Sequence, residues 1–172
     1  MWNVGADVLG VDWRGARDRQ GTIAARRVGL DWPLTLSRKV HKMKCLSLRP
    51  GWAWAVVFGG KTVENRSWKT NYRGPLVIHA SSSHAELHDI VERAQKLSGK
   101  KVPDEIDFGA VIGVVDLVEC LPPDAPLKKP DAKWAAPGCY HWLFRNPRPC
   151  EPVDIKGKLM LWDLPSKKIK LT

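Results

Sequence analysis
Apolar and polar positions alternate clearly only from about residue 43 onward. Residues 43–48 alternate enough for a strand, and Arg49-Pro50-Gly51 breaks it. Residues 52–58 are short and apolar, the pattern of a two-turn helix stopped by Gly59-Gly60. Residues 61–68 read as extended, 71–74 as a turn and 75–80 as an apolar strand. Ser81, Ser82 and Ser83 offer N-caps for a helix over 84–97, ended by Ser98-Gly99. Its apolar residues Leu87, Ile90, Val91, Ala94 and Leu97 recur at helical spacing. A valine-rich strand is expected over 108–121, then a Pro- and Lys-containing loop over 122–136. A strand over 139–144 precedes Pro147, Pro149 and Pro152, and 158–164 closes the set. Several strands with two intervening helices make an α+β domain.

Residues 1–42 show neither period. Gly5, Gly10, Gly15, Gly21 and Gly29 are spread among arginines, which reads as a basic, poorly patterned extension. A second reading takes Met43 as the start of the protein. Residues 166–172 form a basic tail with Lys167, Lys168 and Lys170.

Composition adds a direction. The formal net charge of +10 favours polyanionic partners, chiefly through phosphate contacts, and solubility is the bland alternative. Nine tryptophans beside those cations supply faces on which unpaired bases stack, although most tryptophans belong to cores. Cys45, Cys120, Cys139 and Cys150 are scattered without a C-x-x-C pair, so reduced thiols are expected rather than zinc ligands or a disulfide framework. No run reaches the roughly 18 apolar residues of a membrane helix, and no signal peptide is read, so a cytoplasmic location without membrane contact is expected.

The stretch from Gly59 to Trp68 departs from an ordinary strand. Thr62, Glu64, Arg66 and Trp68 share one face, and Val63, Asn65 and Ser67 the other. Neither face is cleanly apolar, as it is in a core strand, and such a segment lines a cleft or an edge. Gly59 and Gly60 permit a tight turn and close approach to a ligand. Lys61 meets a phosphate, or serves as a base if its pKa is depressed. Glu64 and Arg66 either form a structural ion pair or divide the work, Glu64 accepting from a base amino group or orienting Lys61 and Arg66 contacting phosphate or stacking.

Gly59-x-Lys61-x-x-Glu64-x-Arg66 resembles the G-x-K-x-x-E-x-R signature of ASCH domains at every fixed position. Other blocks resemble the family in the same order: Leu46-Ser47-Leu48-Arg49 before Trp52-Ala53-Trp54-Ala55, Tyr72-Arg73-Gly74-Pro75 into Leu76-Val77-Ile78-His79-Ala80, and Gly157-Lys158-Leu159-Met160-Leu161-Trp162. The resemblance spans residues 43–165. It implies a small closed PUA-like β-barrel of five to six strands with two or more flanking helices, and a signature-lined cleft between barrel and first helix. It also implies RNA or single-stranded nucleic acid, or a modified nucleoside, as partner. Hydrolysis of N4-acetylcytidine, RNA cleavage and a coactivator-type protein-interaction role occur among members. The amidohydrolases keep a threonine nucleophile three residues after the lysine, where this chain has Glu64. Thr62 stands one residue after it. Pro50-Gly51 replaces the family's Gln-Pro.

The first expectation is therefore a binding module for RNA or a modified nucleotide. The second is a hydrolase using Lys61, Glu64 and Thr62, and the third is an adaptor. The expected ligand contacts are Gly59, Lys61, Glu64, Arg66, Trp54, Tyr72, Arg73 and Ser81. Trp52 and Trp54 cannot share a helix face, so one is core and the other rims the cleft. His79 reads first as a core histidine. His84 and His88 lack the H-E-x-x-H order and read as a solvated face, as do Lys128, Lys129 and Lys133. No metal site and no cofactor are expected, with a divalent ion entering only in the nuclease case.

Overall fold
The computed structural model describes residues 42–166 and 169–172. The extension expected over residues 1–42 lies outside them except for Lys42, and so do Lys167 and Lys168. The described elements are β1 (Lys42–Leu48), α1 (Pro50–Val57), β2 (Val63–Arg66), β3 (Gly74–Ala80), α2 (Leu87–Ser98), β4 (Ala110–Leu121), β5 (Tyr140–Asp154) and β6 (Leu161–Pro165). A 3-10 turn occupies Asp131–Trp134, inside what the sequence presents as loop. The class is α+β, as the patterning implies.

The strands join in one six-stranded sheet ordered β2-β5-β4-β3-β1-β6. Among the described residues only β1 and β3 pair in parallel, because the chain crosses through α1 and β2 between them. The ladder carries a bulge between β3 and β4 and three register shifts between β4 and β5. Bulges bend and twist a sheet. Between the end strands β2 and β6 no ladder forms among the described residues. A side chain spans that side of the sheet instead: Arg66 Nη2 on β2 donates to the Ser47 carbonyl on β1 at 3.2 Å.

β3 is buried on both faces, which explains its unbroken apolar run. Leu76, Ile78 and Ala80 join the main core with Leu46, Leu117, Trp142 and Phe144, beneath Ala53, Val56 and Val57 of α1. Val77 faces a second core with Cys45, Val111, Val114, Cys150, Trp162 and Leu164. Burial pushes the thiols of Cys45 and Cys150 up, so both are inert there. α1 has almost no polar face: seven of its eight residues are buried, between the sheet and α2. At Gly51 a Cβ would stand 2.7 Å from Ile90 Cγ2, so the Gly at this departure from the family pattern permits the helices' close approach.

Several boundaries differ from the patterning. α2 starts at Leu87, and its N-cap is Glu86 in the left-handed region (φ 55°), with no side-chain cap. Ser81 does not cap it, because its amide extends the sheet by donating to the Leu48 carbonyl at 2.8 Å. β5 does not stop at Phe144 but runs through all three prolines to Asp154. Prolines lack an N–H and are tolerated where a ladder is irregular, which the shifted β4–β5 register supplies. Gly113 allows this crossing, since a Cβ there would meet the Arg148 carbonyl at 2.8 Å. The end of the basic tail is anchored: Ile169 packs on the second core and Leu171 bridges to Cys150.

Candidate functional site
Gly59 and Gly60 turn the chain sharply after α1. A Cβ at Gly59 would lie 2.9 Å from Ala55 Cα, and Gly60 adopts φ +71°. The Lys61 amide then donates to the Ala55 carbonyl at 2.9 Å, which pins the loop to the helix. The side chain of Lys61 is driven inward, leaving the residue 4% exposed.

There the ammonium donates to the Val63 carbonyl and to Glu64 Oε2, the latter at 2.7 Å. Burial lowers the Lys61 pKa, the Glu64 carboxylate opposes that fall, and Arg66 and Arg93 add to it. Glu64 Oε1 lies 3.4 Å from Arg66 Nε. That approach lacks hydrogen-bond geometry, because Nε is buried without a partner. The result is a charge chain: Lys61, Glu64, Arg66 and then the carbonyl of Ser47.

A cavity of about 180 Å³ opens above this pair. Trp52, Lys61, Glu64, Asn65, Arg93, Leu97, Trp134 and Ala136 line it. The Lys61 ammonium stands 5.5 Å from the Trp52 ring centroid. Trp134 is 3% exposed, and its indole N–H has no partner among the described residues. Asn65 holds this wall in place. Its amide donates to the Trp134 carbonyl at 2.9 Å, and its oxygen accepts from the Ala136 amide at 2.9 Å. Lys133 ties the same turn to α2 by donating to the Leu97 carbonyl at 2.7 Å.

The structure brings Lys61 and Glu64 into the cavity and places Arg66 behind them. Thr62 is not in its lining; its hydroxyl is buried without a hydrogen-bond partner, and both Lys61 contacts go elsewhere. Gly59 faces α1 rather than the cavity. Trp54 does not rim the cleft: it packs between α1 and α2 with Ala94 and Val102, and Trp52 takes the rim. Tyr72 is absent from the wall; it packs on the main core and its hydroxyl donates to the Pro75 carbonyl. Arg73 is engaged with Glu119 and with the carbonyls of Thr70 and Tyr72. Ser81 lies in a different pocket, with His79. His84 stacks on Phe108 at 4.3 Å, so it is not simply a solvated helix residue.

Asn65, Arg93 and Trp134 are members of the site that sequence reasoning missed. A lone tryptophan within a Pro- and Lys-rich loop was the available signal for Trp134. Arg93 flanks the apolar stripe of α2, one turn before Leu97, where nothing distinguished it from a solvated helix residue.

The profile of the ASCH domain family matches residues 46–155. The chain belongs to the ASCH domain family. It is 34% identical over 130 residues to Activating signal cointegrator 1 of Mus musculus and of Homo sapiens, covering 72% of this chain. It spans only 22% of the length of those relatives. The crystal structure of ASCH from Zymomonas mobilis shares 19% identity over 73% of this chain and 90% of that one, with a TM-score of 0.45, a likeness too slight to argue from. Among the described residues, no helix is long and apolar enough to cross a membrane.

Proposed function
We propose that this ASCH domain binds single-stranded RNA, taking one base, ordinary or modified, between Trp52 and Trp134 above the Lys61–Glu64 pair. One observation carries the reading: a desolvated ion pair forms the floor of a small cavity walled by two indoles. Such a pair is a poor stabiliser in itself, so its placement at an opening points to recognition. Two of the three Lys61 donors are occupied, which leaves one for a base carbonyl. Glu64 retains lone pairs for an exocyclic amine. Arg93 at the rim meets phosphate, and the net charge of +10 draws the strand in.

Fluorescence anisotropy with a labelled single-stranded RNA at low salt tests this. Trp52→Ala is expected to weaken binding about five- to hundred-fold, the range for losing one stacked base. Affinity should fall steeply with salt. No binding at low salt sinks the proposal.

The depressed Lys61 pKa favours a second reading, hydrolysis of an N4-acylated cytidine or of RNA. Thr62 is not placed to be its nucleophile, so water would attack with Lys61 as base and Glu64 as its partner. Incubation with N4-acetylcytidine, and with RNA with and without Mg²⁺ or Mn²⁺, tests it. Turnover that survives Lys61→Ala removes Lys61 from the mechanism. The relatives named as cointegrators favour an adaptor reading, in which Lys61→Ala leaves partner binding intact.

A further inference from the structure
A second pocket of about 570 Å³ lies at the C-terminal ends of β1 and β3, within the range of small-ligand sites. Ser47, His79, Ser81, Lys156, Gly157 and Lys158 are in its wall. Two polar groups there have no partner among the described residues. His79 is 1% exposed; its Nε2 lies 2.8 Å from the Ile155 carbonyl, so Nε2 donates. Nδ1 is then left as an acceptor, buried and unpaired. The Ser81 hydroxyl is likewise buried and unpaired. Buried polar atoms are nearly always satisfied, so two orphans in one pocket wall call for an explanation.

Gly157 covers them. A Cβ there would stand 2.8 Å from His79 Nδ1, 2.5 Å from His79 Cε1 and 2.9 Å from Ser47 Oγ. Only glycine leaves that space; Ile155 is pinned by its amide donating to the Gly109 carbonyl at 2.9 Å, and residues 156–160 beyond it lie outside any strand. Lys156 and Lys158 flank it and are exposed, with Lys158 5.9 Å from the Trp162 ring centroid. Asp154 is a single acid at the same rim. The pocket thus combines an acceptor, a hydroxyl, an apolar wall and two cations.

We propose that this pocket is a second nucleotide subsite. One nucleobase enters as Gly157 moves aside, its N–H edge meeting His79 Nδ1 and Ser81 Oγ, with the attached phosphate at Lys156 and Lys158. The ligand is a nucleoside monophosphate unit, free or as one residue of an RNA strand. Ser47 connects this pocket to the first: its carbonyl receives Arg66, which sits against Glu64. The proposal rests on reading the domain as nucleotide-binding, but it uses different residues and can fail separately.

The test is an NMR titration of the full ¹⁵N-labelled chain with AMP, CMP, inorganic phosphate and a short single-stranded RNA. The His79 Nδ1 resonance and the Gly157 and Lys158 amides are expected to shift with nucleotide, in Trp52→Ala as in the wild type. The Lys156→Ala/Lys158→Ala variant should weaken this response about ten-fold or more, as for lost charged contacts. Ser81→Ala should weaken it less and should fold normally. A response to RNA and not to AMP or CMP assigns the pocket to a strand; the reverse assigns it to free nucleotide. Inorganic phosphate reproducing every shift would overturn the base-recognition claim. RNA that moves the Trp52 and Trp134 indoles while His79 and Gly157 stay still would overturn the second subsite and leave the first standing.

Discussion
The two pockets are built on opposite principles. At Lys61 the polar groups are charged, and most are satisfied by one another before any ligand arrives. At His79 two buried polar atoms, Nδ1 and the Ser81 hydroxyl, stay unsatisfied, and the charged residues stand exposed at the rim. The strands behind them differ in the same way: β2 sets the buried Glu64 among less buried polar residues, whereas β3 is buried along most of its length. A buried charge without its partner is far more costly than a buried hydroxyl without one. The first pocket is therefore tied to the stability of the fold, and the second is nearly independent of it.

Removing one partner from the first pocket breaks the comparison most severely. Glu64→Ala leaves the Lys61 ammonium buried and uncompensated, at a cost of about 3–5 kcal/mol. Urea denaturation checks this, and Lys61→Met/Glu64→Leu should recover most of the loss. A single-variant cost near zero would mean that the pair is hydrated. Next comes Asn65→Ala, which strands the Trp134 carbonyl and the Ala136 amide and is expected to cost about 1–3 kcal/mol. It should also loosen the Trp134 wall, read as a change in tryptophan fluorescence.

The pH dependence of the same pair has a definite sign. Lys61 titrates below its ordinary 10.5 in the folded chain. Between that lowered value and 10.5, the unfolded chain holds a proton that the folded chain has lost. Stability relative to Lys61→Met should therefore rise with pH across that window. A falling difference would show that the Glu64 contact outweighs desolvation. The smallest effect belongs to the second pocket. Ser81→Ala removes a hydroxyl that bonds nothing and should change stability by no more than about 0.5 kcal/mol.

Much of this arrangement was written in local pattern. The periodicity of β1, β3 and α2 found those elements, and the spacing of Lys61, Glu64 and Arg66 marked the charged floor. Choosing Trp54 over Trp52 failed because α1 is buried nearly all round, so helical phase carries no information about which tryptophan rims a cleft. Trp134 was missed because its position is set by hydrogen bonds from Asn65, which no local pattern reveals. Arg73 was expected to contact ligand because its partner Glu119, on β4, is remote along the chain. β5 was cut short at its prolines because the bulges that accommodate them belong to the β4–β5 pairing, not to β5 alone.

The central claim is that a base enters between Trp52 and Trp134 above the Lys61–Glu64 pair. Its most direct measurement is the indole N–H spectrum of the ¹⁵N-tryptophan-labelled chain during titration with single-stranded RNA at low salt. The Trp52 and Trp134 signals should move together and saturably, while those of the core residues Trp54 and Trp142 stay in place. RNA that binds without moving the Trp52 and Trp134 signals would contradict the account.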